Sequence, residues 1–182
     1  WEKVVVYNPK RNKFPPVLSD FSDTIAETAE GTSFPQHETA LRESVAQNLP
    51  KDERIKFEKE AEAGYEDFKK TRRDNEIPIQ ERYLKWLNPF KGLLHQRHLE
   101  DLVKDWRLNN GFLEGARLLR ELEGIRHDTV VEIEIVSGAL VQIIRAFLDR
   151  PDIKQILEVN AIRITRIQGI ELVMDENNLF QG

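Results

Sequence analysis

The chain has no cysteine. That excludes disulfides, thiolate nucleophiles and cysteine-based zinc sites. It leaves the compartment open, since chains in oxidising and reducing surroundings can both lack the residue. No apolar run approaches about 18 residues, so nothing in the sequence reads as a membrane-spanning helix. Also missing are a glycine-rich phosphate loop, a G-x-S-x-G elbow, an H-E-x-x-H pair and an EF-hand loop. Lys and Arg total 27 against 32 Asp and Glu, a net charge of −5, so there is no basic excess to bind nucleic acid in bulk. The sequence starts at Trp1 without a methionine; the expectation is that further sequence preceded it, and that any membrane attachment lay there.

What is present is a charge-rich globular composition, 40% hydrophobic and 32% charged over 182 residues. That is enough for one large domain or two small ones with a real core. The most legible stretch runs from Thr129 to Glu176. Val131, Ile133 and Ile135 alternate with Glu132 and Glu134, a period of two that predicts a one-sided strand. After Gly138, the residues Leu140, Ile143, Ile144, Phe147 and Leu148 repeat at helical spacing, and Pro151 stops that helix near Arg150. Leu157 to Ile167 reads as a second strand whose apolar phase reverses at Ala161, as a β-bulge there would produce. Gln168-Gly169 sits where a two-residue hairpin loop would. Ile170, Leu172 and Met174 then form a third strand. The acids Glu132, Glu134, Glu171 and Asp175 read as the solvated face of this sheet, with Arg163 and Arg166 opposite.

Upstream, Val4, Val5, Val6 and Tyr7 form a short β-like run followed by a basic, proline-containing loop to Pro16. Ser19 to Thr39 reads as loop, with a helical turn at Ile25 to Ala29. Helices are expected at Glu38–Asn48, Lys51–Asp74, Gln80–Leu87, Phe90–Leu108 and Phe112–Ile125. The second of these carries a thin seam, Phe57, Ala61, Tyr65 and Phe68, spaced by four, four and three; such a helix packs along one side or pairs with another helix. The fold expected is therefore α+β. An extended arm covers 1–37, a helical region 38–110, and a β-α-β-β module with a leading helix 111–176, with a tail at 177–182. Within that tail Leu179-Phe180-Gln181-Gly182 resembles a viral 3C-type protease site used in expression tags, and it is set aside from the functional reading.

No catalytic residue, metal ligand or cofactor site is assigned. His95 and His98, at i and i+3 of a helix, have a spacing that two metal ligands could use, but no third ligand matches; they read as a half-exposed pair. His127 beside Asp128 reads as turn chemistry. Lys69, Lys70, Arg72 and Arg73 close a helix, where the dipole favours cations. The residues assigned to partner binding are Val4, Val5, Val6 and Tyr7, through strand addition, and Phe57, Tyr65 and Phe68 on the seam.

The run from Val130 to Glu176, with its aliphatic strand ending near Ser137-Gly138, its helix on Leu140, Ile143, Phe147 and Leu148, and the strand Val159-Asn160-Ala161-Ile162-Arg163-Ile164-Thr165-Arg166, resembles the ferredoxin-like module of the PilO/PilN/GspM group. Those are inner-membrane-anchored periplasmic subunits of type IV pilus and type II secretion machines. The resemblance implies a non-enzymatic scaffold subunit of a cell-envelope assembly. It would have protein partners or further copies of itself and no nucleic acid. It implies no site residue, since that group is not catalytic. The competing readings are a structural or adaptor subunit of a virion or organellar complex, in the cytoplasm or a larger particle, and a small metal-binding protein or enzyme using His95 and His98.

Overall fold

The computed structural model describes residues 17–21, 24–27, 34–71, 77–122 and 130–182. The arm residues Val4, Val5, Val6 and Tyr7, together with Arg72, Arg73, His127 and Asp128, lie outside the described residues. In chain order the elements are β1 (Val17–Ser19), β2 (Ala26–Glu27), α1 (Phe34–Ala46), α2 (Lys51–Thr71), α3 (Ile79–Leu87), a 3₁₀ turn (Asn88–Phe90), α4 (Gln96–Val103), β3 (Arg107–Leu108), α5 (Asn110–Leu122), β4 (Val131–Leu140), α6 (Val141–Leu148), α7 (Pro151–Val159) and β5 (Ile162–Ile170). The chain is thus a mixed α/β protein with a small parallel sheet. It divides into two compact units, Trp1–Gly31 with Val103–Glu171, and Thr32–Leu102 with Leu172–Gly182.

The first unit is organised by β4. Its aliphatic positions Ile133 and Ile135 are buried. It is the central strand of the order β1-β4-β5, parallel to both neighbours. Parallel strands cannot be joined by a tight turn, and α6 and α7 supply the connection from β4 to β5. α6 ends at Leu148, and Pro151 opens α7, a position where its fixed φ suits the first turn and its missing N–H costs nothing.

Three sequence expectations are corrected here. Leu157 to Val159 is helix, not strand: Ile153 and Leu157, four apart, are buried while Val159 is 77% exposed. The reversal of apolar phase at Ala161 marks a helix giving way to a strand, with Ala161 itself at φ 49° in the left-handed region and its N–H on Glu158 O at 2.9 Å. A bulge does occur, four residues later. Ile133 faces Ile164 and Glu134 faces Arg166, so Thr165 is the extra residue, and its hydroxyl donates to Ile133 O at 3.2 Å. Second, Gln168-Gly169 is not a hairpin. β5 runs straight through it, Gln168 opposite Val136 and Ile170 opposite Leu140. Third, Leu172 to Met174 joins no strand of this sheet and falls in the other unit, so no ferredoxin-like β-α-β-β module is formed. The four acids consequently do not share a face. Glu132 meets Arg163 at 3.5 Å and Glu171 meets Arg145 at 3.0 Å, whereas Asp175 organises a turn in the second unit, accepting from Asn177 N and Leu179 N.

The same unit carries the antiparallel pair β2-β3. Ile25 N–H closes a single helical turn onto Phe21 O, but Ala26, expected to continue it, enters β2, and Thr28 and Ala29 lie outside the described residues. Phe21 is fully buried. It packs edge-on against Phe147 of α6, ring centroids 5.6 Å apart, and lies 6.3 Å from Trp106. Arg150 ties the α6–α7 corner to the chain ahead of β3 by donating to Val103 O and Trp106 O at 2.5 and 2.8 Å.

In the second unit the seam of α2 is its buried face: Phe57, Ala61, Tyr65 and Phe68 are all buried. Their cover comes from the same chain. Phe68 stands edge-on to Tyr83 at 5.0 Å and lies 5.6 Å from Trp86, and Phe57 stands edge-on to Phe90 at 5.2 Å. Contacts of this kind add to the burial of large rings. The single helix expected from Phe90 to Leu108 is interrupted. Gly92 adopts φ +70°, a conformation that glycine reaches without strain, and α4 starts only at Gln96. The turn receives the C-terminal segment: Gly92 N–H donates to Phe180 O at 2.8 Å and Phe180 N–H to Leu94 O at 2.9 Å. Phe180 is completely buried, so the residues set aside as a tag remnant belong to this unit's core.

Candidate active site

Asp20 directly follows β1, and Ser137 opens a bulge in the last part of the neighbouring strand β4. Open parallel sheets bind ligands in the crevice beyond the C-terminal ends of their strands. β1 is paired in register with β4 from Val17 opposite Ile133 to Ser19 opposite Ile135. The next residue on β1 is Asp20 and the next two on β4 are Val136 and Ser137. Asp20 is exposed. One of its oxygens, Oδ1, accepts from Phe21 N–H at 2.7 Å, which sets the carboxylate at the tip of the strand while the buried Phe21 ring holds the turn.

On β4 the ladder jumps. Val136 faces Gln168 and Leu140 faces Ile170, so Ser137, Gly138 and Ala139 bow out against the single residue Gly169. A Cβ on Gly169 would stand 2.7 Å from Ala139 O and 3.3 Å from Ser137 O, and that contact explains the glycine. Bulges of this sort re-aim side chains beside functional sites. Ser137 Oγ accepts from Ala139 N–H at 3.2 Å, which leaves the hydroxyl proton for an outside acceptor. α6 begins immediately after the bulge, and its N-cap Leu140 offers no side-chain acceptor. The first N–H groups of a helix point outward with partial positive charge and suit an anion.

The sequence reading passed over both Asp20 and Ser137. β1 is three residues long, too short for any period to reveal it, and Ser137-Gly138 read only as the end of a strand. The usable signal is an acid two residues after an apolar pair, Val17-Leu18, and a hydroxyl directly after an alternating strand.

The residues singled out from the sequence lie elsewhere. Phe57, Tyr65 and Phe68, assigned to a partner, are covered by Tyr83, Trp86 and Phe90 of their own unit. His95 and His98 are adjacent, ring centroids 6.4 Å apart, but they serve the backbone. His98 Nδ1 accepts from His95 N–H at 2.9 Å, and His95 Nδ1 from Arg97 N–H at 3.1 Å. No group of three or more His, Cys, Asp or Glu arranged to hold a metal occurs among the described residues. The metal-site alternative is therefore replaced by a capping role. Lys69 pairs with Glu66 one turn back on α2.

No protein-family model matches the chain, and no curated protein matches it either. A solved structure from Francisella tularensis subsp. tularensis SCHU S4, described as a phosphoserine phosphohydrolase-like protein, is similar over 80% of this chain and 56% of its own, with a TM-score of 0.45 and 17% sequence identity. The chain thus spans a little over half of that structure's length. The parallel β1-β4-β5 order is not a ferredoxin-like one. The resemblance to the PilO/PilN/GspM group is accordingly corrected. With it go the non-enzymatic scaffold that it implied and the expectation that the chain is not an enzyme; most of the arm on which the virion or organellar alternative rested lies outside the described residues.

Proposed function

We propose that the end of the parallel sheet is a phosphoryl-transfer site that hydrolyses phosphate monoesters, with Asp20 as the nucleophile. One observation carries this reading: an exposed carboxylate directly after β1 and, on the neighbouring strand β4, a hydroxyl-bearing bulge ahead of an uncapped helix. A carboxylate beside an anion cradle repels the anion unless it reacts with it or shares a cation with it. Attack turns that proximity into catalysis, since carboxylates form acyl phosphates.

In the first step an Asp20 carboxylate oxygen bonds to phosphorus as the ester P–O bond breaks, and the departing alkoxide takes a proton from water. In the second, water attacks the acyl phosphate, releasing inorganic phosphate and restoring the carboxylate. Ser137 and the N–H groups at the start of α6 donate to the phosphoryl oxygens, stabilising charge that builds during transfer.

Hydrolysis of p-nitrophenyl phosphate, with and without magnesium, tests the assignment. Magnesium is included because one or two carboxylates plus substrate phosphate oxygens commonly complete its shell. Asp20→Asn is expected to lower kcat by about a thousandfold or more. Wild-type protein quenched in acid after incubation with labelled substrate is expected to hold hydroxylamine-sensitive label. Undiminished turnover by Asp20→Asn, or label retained by that variant, would remove Asp20 as nucleophile.

A further inference from the structure

α4 starts on a reciprocal cap built from two histidines. His98, at the third helical position, reaches back to the N–H of His95, while His95 accepts the N–H of Arg97. This is the arrangement that Ser or Thr with Glu makes in a capping box, with imidazole nitrogens as both acceptors. A neutral imidazole has one acceptor nitrogen. In His98 that nitrogen is Nδ1, so Nε2 carries the proton, and Asn48 Nδ2 at 3.4 Å from it is a packing contact.

The backbone immobilised by this cap holds the C-terminal segment. His95 bridges to Leu179, Gln96 N–H donates to Asn178 O at 3.1 Å, and just upstream Leu94 and Gly92 bond to Phe180. We propose that the His95/His98 cap is a proton-operated clasp for the segment Asp175–Gln181, closed while His98 is neutral and opened when His98 is protonated. An imidazolium has an N–H on each nitrogen and accepts nothing. A cation at a helix N-terminus also opposes its dipole.

The surroundings act on His98 in the same sense. Burial, then Arg97 and His95, hold it below the ordinary histidine range, and only Asp101 acts the other way. Asp175 in the clasped segment is committed to Asn177 N, Leu179 N and Gln181, and Asn48 is uncharged. Between the native value and about 6.5 the unfolded chain binds more protons at this site than the folded one. The contribution to stability is therefore complete above about pH 6.5 and is lost as pH falls through that window.

Amide exchange measured by NMR between about pH 7.5 and about pH 5 spans the range in which histidine changes charge. After correction for intrinsic rates, protection at His95, Gln96, Arg97 and Phe180 is expected to fall about tenfold, the loss of the His98 cap, while the α2 core amides keep theirs. His98→Asn places a non-titrating oxygen where Nδ1 sits, and is expected to hold protection constant across the range. His98→Ala is expected to be unprotected throughout. Constant protection in the wild type, or a full pH response in His98→Asn, overturns the clasp. If the variants do not fold, the imidazole resonances of the wild type decide: protection lost together with His98 titration supports the proposal, and protection lost without it refutes it.

Discussion

The two units treat polar side chains in opposite ways. In the helical unit they are consumed by the architecture: His95 and His98 cap α4, Asp175 holds a turn, and Glu38 is buried on α1 at 3.6 Å from Arg42. In the sheet unit, among the described residues, the groups near the strand ends have local backbone partners, Phe21 N–H for Asp20 and Ala139 N–H for Ser137. The difference teaches where to look for chemistry. A polar group tied into caps and turns answers a structural need, and removing it costs stability. On the proposed reading, a polar group near the end of the parallel sheet serves the ligand as well as the backbone, and removing it is expected to cost activity more than stability.

The sharpest way to break that contrast is Asp20→Asn. It should abolish turnover while leaving the thermal midpoint near the wild-type value; a large loss of stability would return Asp20 to the structural class. Next comes Gly169→Ala. The added methyl meets backbone rather than a yielding side chain, so the Ser137–Ala139 bulge must move. A cost of about 1–3 kcal/mol is expected in urea denaturation, accompanied by weaker phosphate binding in calorimetry. Unchanged binding would show that the bulge does not shape the site.

Within the helical unit, Glu38→Gln tests the cost of a buried charge. Desolvation raises the Glu38 pKa above its ordinary value, with Arg42 only partly offsetting it, and Oε1 receives no hydrogen bond. The folded chain therefore binds more protons here than the unfolded one between the ordinary carboxylate value and the raised one. Stability from this group is present at low pH and declines as pH rises through that window. Glu38→Gln should raise the melting temperature near neutrality, and the gain should vanish as pH approaches the ordinary carboxylate range, the reverse of the trend at His98. A gain that persists at acid pH would point to packing instead.

Gly115→Ala, inside α5 with nothing within 4 Å of the added methyl, should stabilise by up to about 1 kcal/mol in the same denaturation measurement. The smallest effect belongs to Arg117, which bonds Glu114 and Glu121 on the exposed face of α5. Exposed pairs of this kind contribute little, and Arg117→Ala should leave the denaturation midpoint within error.

Much of the scaffold was legible because it is periodic. The seam Phe57, Ala61, Tyr65 and Phe68 coincides with the buried residues of α2, the alternation around Ile133 and Ile135 with the buried face of β4, and Ile144, Phe147 and Leu148 with the buried side of α6. What escaped was aperiodic or depended on distant partners. β1 is three residues long, and nothing local marks it as paired with β4. The phase change at Ala161 fits a bulge as well as a helix end, and only the cover on Ile153 and Leu157 separates the two. Gln168-Gly169 has turn composition, yet its glycine serves the close approach of Ala139 O. The histidines advertised metal chemistry because i, i+3 spacing serves a ligand pair and a capping box equally well.

Sequence alone determined which faces are apolar, because helical and strand periods are written into consecutive residues and need no partner to be read. Tertiary structure alone decided that β4 is flanked by two parallel strands, that Asp20 and Ser137 belong to neighbouring strand segments, and that His98 turns back to its own helix. Those outcomes depend on which segments meet, and pairing over more than a hundred residues, as between Val17 and Ile133, leaves no local trace in composition or spacing.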